Sequence, residues 1–208
     1  MFGVNIGTLT IDGPTLTGVI GNTAELVNIQ STAALVLQSG AITGNTNTGS
    51  GGGGVHVQNG GTFTMNGGSI TGNHVTAAGC NGGGVYVASG GTFNHSGGNI
   101  SGNTANIGDD VYARSATFTR NGGTVGSYFP VGSGTAADPW LFGTYMEMVE
   151  LGLGTTPGYY RQTANIDMDG LITVTVSGNR YLDGGGHIIN RGVLTPAPFS
   201  RYRALIGF

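Results

Sequence analysis

The chain has 208 residues, 43 of them glycine, and only 8% of its residues are charged, against roughly 7% glycine and roughly 25% charged residues in an ordinary soluble domain. Lysine is absent, the formal net charge is −3, and between Pro14 and Gly108 the only charged residue is Glu25. Glycine does not recur at every third position, which excludes collagen. No apolar run approaches the roughly 20 residues of a membrane helix, and the 38% hydrophobic content is too high and too periodic for a disordered chain. No basic cluster exists to neutralise phosphates, so nucleic acid is not an expected partner.

The N-terminal Met1-Phe2-Gly3-Val4 has neither the basic region nor the apolar core of a secretion signal. It reads like the middle of a repeat, and the chain is expected to be a piece of a larger protein. A worn first copy of that repeat is visible in Leu9-Thr10-Ile11 and Leu16-Thr17-Gly18. Val27-Asn28-Ile29-Gln30 then returns as Val55-His56-Val57-Gln58, and Gly52-Gly53-Gly54-Val55 returns as Gly82-Gly83-Gly84-Val85. A shorter copy begins at Val111-Tyr112-Ala113 and runs to Gly126.

Each unit carries three apolar beats. The first is Val27/Ile29, Val55/Val57, Val85/Val87 and Val111/Ala113. The second is Leu9, Leu35, Phe63, Phe93 and Phe118, and the third is Leu16, Ile42, Ile70, Ile100 and Val125. Within a beat, apolar and polar residues alternate, the pattern of a strand with one buried face. Gly-Gly and Gly-Asn between beats supply turn residues. One coil cannot bury its own apolar face, whereas stacked coils share a core. The expected fold is therefore all-β: a right-handed parallel β-helix with three short strands in each coil of about 25–30 residues.

Three consequences follow. The five second-beat residues should form one inward ladder. Asn45, Asn73 and Asn103 should form an amide ladder at one corner, each bonding the next coil. Outward positions should stack uncharged residues, Thr62/Thr92/Thr117 and Thr64/Asn94/Thr119, because like charges about 4.8 Å apart repel.

The repeat is expected to fill residues 1–126 and to break at Tyr128-Phe129-Pro130-Val131, with a linker over 127–143. Thr144-Tyr145-Met146-Glu147 has the form of a capping box, which predicts a short helix over Tyr145–Leu151. Strands are expected at Tyr160–Asp167, Leu171–Val176 and Gly186–Asn190. Residues 144–208 then read as a capping helix and the first coils of a second, truncated solenoid.

Phe63-Thr64-Met65-Asn66, Phe118-Thr119-Arg120-Asn121, Gly67-Gly68-Ser69-Ile70 and Gly97-Gly98-Asn99-Ile100 resemble the tetrapeptides of polymorphic outer membrane protein-type repeats, found in bacterial autotransporters and other surface proteins. Phe93-Asn94-His95-Ser96 departs from the pattern by lacking the Asn. Residues 132–208, with Asp183-Gly184-Gly185-Gly186-His187, resemble a segment of large secreted bacterial proteins that leads into a GLUG-like motif near Leu205. The resemblance implies an extracellular or cell-surface location, further domains in a longer chain, and an adhesin-like stalk that meets a glycan or protein ligand of unknown identity. It carries over no catalytic residue.

The preferred contact surface is His56, Tyr86 and Tyr112, which share the outward position of the first beat. They border the variable loops 46–54, 74–84 and 104–110, and loops on one face of a solenoid are the usual place for binding. The alternative is a packing shelf beneath those loops. Asp109-Asp110 is the only adjacent acidic pair, and β-helix polysaccharide hydrolases use paired carboxylates as acid and base. A polysaccharide-degrading enzyme, with His187 as a further candidate, is the second functional expectation; a structural solenoid of a phage fibre is the third. Against the enzyme, Asp109-Asp110 aligns with Gly83-Gly84 and Gly53-Gly54, a turn position.

Asp109-Asp110 with Asn106, and Asp167 with Asp169, offer oxygen ligands of the kind calcium takes, but the nonapeptide repeat of calcium-binding β-rolls is missing. No metal or other cofactor is expected. Thr-x-Thr pairs at 62–64 and 117–119 suggest an ice-binding array, but Asn94 interrupts it. Cys80, the one cysteine, reads as a small loop residue.

Overall fold

A computed structural model describes residues 1–132, 134–151, 158–167, 173–176, 180–190, 193–196 and 201–203. The chain forms two compact units, Met1–Phe129 and Pro130–Phe208. Both are parallel β-solenoids with three strands in each coil.

The first unit has three walls. The first wall stacks Phe2–Val4, Val27–Ile29, Val55–Val57, Val85–Val87, Val111–Tyr112 and Tyr128–Phe129. The second stacks Thr8–Ile11, Ala34–Leu37, Thr62–Met65, Thr92–His95 and Thr117–Arg120. The third stacks Thr15–Thr17, Ala41–Thr43, Ser69–Thr71, Asn99–Ser101 and Thr124–Val125. Every pairing is parallel and in the register that the beats dictate. Leu9, Leu35, Phe63, Phe93 and Phe118 lie in one column, as do Leu16, Ile42, Ile70, Ile100 and Val125.

The core is the interior of this triangular stack. Leu35, Ile42, Phe63, Ile70, Phe93 and Ile100 are fully buried. Phe63 and Phe93 stack with ring centroids 4.7 Å apart, and Phe93 and Phe118 with centroids 5.1 Å apart. Packing loosens toward the end of the unit, where the strands Thr117–Arg120 and Thr124–Val125 have no fully buried residue.

The expected break at Tyr128-Phe129 is instead a sixth strand of the first wall. Tyr128 pairs with Val111 and Phe129 with Tyr112, and the Phe129 ring stacks on Tyr112 at 5.6 Å. The expected linker 127–143 also ends in a strand, Trp140–Phe142, paired with Tyr160–Gln162.

In the second unit the capping box forms as expected. Thr144 Oγ1 accepts from the Glu147 N–H at 3.1 Å, and Glu147 Oε2 accepts from the Gly143 and Thr144 N–H groups. The helix spans Tyr145–Glu150. It buries Met148, and Leu151 just after it accepts from the Tyr160 hydroxyl. The expected strand 160–167 is two strands, Gly158–Gln162 and Ile166–Asp167, separated by a corner. The expected strand 186–190 shrinks to Ile189–Asn190. An unexpected strand, Arg180–Asp183, sits between Gly158–Gln162 and Arg201–Arg203. Thr173–Val176 pairs with Val193–Pro196. The GLUG-like start near Leu205 falls outside the described residues.

Candidate functional site

The corner between the third and first walls holds the asparagine ladder. The Asn45 N–H donates to Asn73 Oδ1 at 3.2 Å, and the Asn73 N–H and Nδ2 both donate to Asn103 Oδ1 at 3.0 Å. The Asn73 amide also donates to the Ile42 carbonyl, and the Asn103 amide to the Ile70 carbonyl. All three asparagines are buried. Their satisfied bonds meet the requirement that a buried polar group find partners. Below Asn45 the ladder extends to Asn22, whose amide donates to Asn45 Oδ1 at 3.0 Å.

Asp110 closes this ladder at its upper end. Its Oδ1 accepts from the Asn103 N–H at 3.1 Å and from Asn103 Nδ2 at 2.8 Å, the same two donors that Asn73 offers Asn103. Its Oδ2 accepts from the Ser127 N–H at 2.9 Å. The residue is 4% exposed. Asp109 is spent differently: its Oδ1 accepts from the Ala105 N–H in an exposed turn. The two carboxylates therefore each hold the chain's own backbone, one inside the stack and one outside. His187 lies in the second unit, in the turn after Asp183, where its N–H donates to the Gly184 carbonyl.

The outward column of the first wall is Gly3, Asn28, His56, Tyr86, Tyr112 and Phe129. The structure brings His56, Tyr86 and Tyr112 together as expected, but not as an open platform. Tyr86 and Tyr112 stack at 5.3 Å with an interplanar angle of 9°, and His56 meets Tyr86 edge-on at 5.0 Å. Stacking within the column uses the ring faces that a sugar would need. Tyr112 is 5% exposed.

The variable loops supply the cover. A Cβ on Gly51 would lie 3.0 Å from His56 Nδ1, one on Gly52 2.9 Å from Tyr86 Cβ, and one on Gly108 3.1 Å from Tyr112 Cβ. Only glycine lets these loops fold back so closely. The column has the burial of a packing shelf, with His56 and Tyr86 its partly open members.

A polar group missed in the sequence sits beneath the first of these loops. Glu25 is 5% exposed, and its Oε1 accepts from Asn28 Nδ2 and lies 3.8 Å from His56 Nδ1. Gln58 Nε2 in turn donates to Asn28 Oδ1 at 2.9 Å. Burial alone would push the Glu25 carboxyl up. The His56 imidazole, the Glu25 backbone and the Asn28 amide together outweigh burial and hold it below the usual carboxylate range. The signal in the sequence was the isolation of Glu25: a lone charge inside an otherwise uncharged stretch needs a partner, and a stacked neighbour supplies it.

Among the described residues no group of three or more His, Cys, Asp or Glu side chains could hold a metal ion. Asn106, a candidate calcium ligand with Asp109-Asp110, directs its amide nitrogen to the Ala77 and Cys80 carbonyls. Asp167 lies on a strand, but its side chain and Asp169 fall outside the described residues. The Cys80 thiol points to the Gly49 carbonyl at 3.4 Å. The outward threonine columns of the second wall read Thr8-Ala34-Thr62-Thr92-Thr117 and Thr10-Val36-Thr64-Asn94-Thr119, so Ala34 and Val36 break the array as well as Asn94. A recess of about 350 Å³ opens at the first coil between Phe2 and Leu9, with no ionisable side chain in its lining. No family model, no curated protein and no solved structure matches the chain.

Proposed function

We propose that this chain is a non-enzymatic module of a larger bacterial surface protein, exposed outside the cell and serving as an adhesin-like spacer or display stalk. The observation that carries this is the use of the acidic pair: Asp110 terminates the buried ladder and Asp109 caps a turn, so both carboxylates are engaged in the coil itself. Glycoside hydrolysis instead needs two carboxyl groups facing one another across a bound sugar. The stacking of uncharged outward columns supports a stiff rod, because each coil repeats the backbone hydrogen bonding of the last without accumulating repulsion. The tetrapeptides Phe63–Asn66 and Gly67–Ile70, like those of outer membrane protein repeats, supply the surface assignment. They also supply the expectation of a glycan or protein ligand.

Two measurements test this. An antibody raised against residues 1–129 should label intact cells of the source bacterium as strongly as lysed cells; labelling only after lysis overturns the surface assignment. Incubation with a panel of polysaccharides should release no new reducing or unsaturated ends. Cleavage that is lost in Asp109→Asn would overturn the non-enzymatic assignment in favour of a glycan-active enzyme.

A further inference from the structure

Among the polar residues of the core, His95 stands apart. It occupies the inward column of the second wall, between Met65 below and Arg120 above. Its residue exposure is 0%, neither ring nitrogen makes a well-formed hydrogen bond, and the Gly97 backbone is the polar group that favours its charged form. Its neighbours are apolar or glycine on every side but one. Phe93 lies on its own strand with the ring 5.9 Å away, and the corner glycine Gly123 closes over it so tightly that a Cβ there would lie 2.7 Å from Cε1. Val85, Val87 and Ile100 line the same level of the core from the other two walls.

The exception is Arg120, the charged group that acts on the ring; none of the other elements packed against His95 brings a titratable side chain to it. The Arg120 guanidinium lies over the Tyr128 ring at 4.7 Å. Arg120 and Tyr128 therefore tie together two strands of the coil above the imidazole.

We propose that His95 is a proton-operated latch on the last coil of the first unit: its protonation releases Thr117–Arg120, Thr124–Val125 and Tyr128–Phe129 from the stack while the coils below stay closed. The physical reason is local. An imidazolium at this position has only the Gly97 backbone to favour it, and Arg120 stands one rung above it in the same column. A buried unpaired charge beside a like charge is among the costliest arrangements in a core. Lifting the last coil hydrates the imidazolium, whereas Arg120 is exposed already. That coil is thinly held by burial, since its second- and third-wall strands have no fully buried residue, and local opening follows weakly packed segments.

Burial and the Arg120 charge both keep the imidazole below the ordinary histidine range, against a weaker opposing pull from the Gly97 backbone. A histidine depressed in the folded state contributes stability that is present above its unfolded value, near 6.5, and is lost as pH falls below it toward the folded value. The latch therefore works on the acid side of about pH 6.5.

Hydrogen exchange of the 208-residue chain, read by mass spectrometry peptide by peptide and corrected for the intrinsic pH dependence, tests the proposal. Between pH 7.5 and pH 5.0, opening of peptides within 117–129 should rise by up to about 30-fold, the limit set by a 1.5-unit excursion below an unfolded value of 6.5. Peptides within 27–103 should change far less. His95→Met, which restores the residue found one rung below at Met65, should abolish the rise. Arg120→Gln should shrink it, because removing the neighbouring charge lets the folded state accept the proton more readily. An equal rise in the wild type and His95→Met overturns the latch, and so does a rise spread evenly over all coils. Should His95→Met fail to fold, the absence of any rise within 117–129 of the wild-type chain between pH 7.5 and pH 5.0 overturns it alone.

Discussion

Two columns of the first unit hold buried polar side chains, and they are built in opposite ways. In the asparagine column, Asn45, Asn73, Asn103 and then Asp110 present donors and acceptors that match the coil above and the coil below. In the column Ile11, Leu37, Met65, His95 and Arg120, a polar ring follows three apolar residues and finds no partner. Periodic stacking explains the difference. A side chain that bonds its own copy one coil away is satisfied in every coil at once, whereas a side chain that appears once in its column must find a partner outside the period. Asp110 finds one because it stands at the end of the ladder. His95 does not, because it stands inside an apolar column.

The comparison can be broken at its strongest point first. Asn73→Ala deletes three donor bonds and the acceptor that serves the Asn45 N–H. It should cost about 3–4 kcal/mol, since buried groups left unpaired cost about 1–3 kcal/mol each and some recruit water; urea unfolding measures it, and a loss under 1 kcal/mol would show that the ladder is decorative. Gly84→Ala attacks the same column from the first wall. The added Cβ would meet the Asp110 carbonyl at 2.5 Å and Asn103 Nδ2 at 2.8 Å, and the cost should be about 2–3 kcal/mol by displacement of backbone that cannot yield. A neutral thermal melt would refute the close approach.

Asp110→Asn sharpens the comparison. Its carboxylate accepts from Asn103 on one oxygen and from Ser127 on the other. An amide can accept on only one side, so either orientation sets a donor against a donor, at a cost of about 2 kcal/mol. Full stability in this variant would mean that the ladder needs no carboxylate at its end. The smallest effect has the opposite sign. His95→Met should stabilise the chain by about 1 kcal/mol at pH 7, because two unpaired buried nitrogens leave the core. The gain should grow below pH 6.5, in the direction set by the depressed imidazole. A destabilised variant at both pH values would show that the ring is better accommodated than its contacts indicate.

Much of the first unit was legible from beats alone. The three apolar columns, the asparagine ladder and the capping box at Thr144–Glu147 follow from local spacing, and the paired registers reproduce them. The second unit was less legible. Arg180–Asp183 carries two charges in four residues and leads into three glycines, so its pattern did not suggest a strand. It is one because Tyr181 and Leu182 lie opposite Tyr159 and Tyr160, with the two tyrosine rings of Tyr159 and Tyr181 stacked 4.3 Å apart. The exposed Arg161–Asp183 pair adds a direct ionic contact across the same strands. Glycine was only partly legible as well. Gly60 and Gly90 take the positive φ expected of a turn, but Thr32 and Ser115 occupy the same corner with φ of 66° and 60°. Gly54 and Gly84 are glycine for a different reason: a Cβ would collide with Asn73 and Asn103.

The candidate site was the least legible part. Composition and spacing placed His56, Tyr86 and Tyr112 on one column and Asp109-Asp110 in a glycine position, and both placements hold. Neither reveals what covers a side chain. The loops that fold back over the aromatic column, and the vacancy that Asp110 fills where the next coil has no asparagine, arise from contacts between residues far apart in the chain.

By itself the sequence determined the period, the inward and outward columns and the scarcity of charge, because each is a local consequence of stacking like on like. Only the tertiary structure decided which polar groups are satisfied. Partnership depends on the coil above and the loop alongside, so Asn73 has a full set of bonds, Asp110 ends a ladder, and His95, two residues from Phe93 on the same strand, has none.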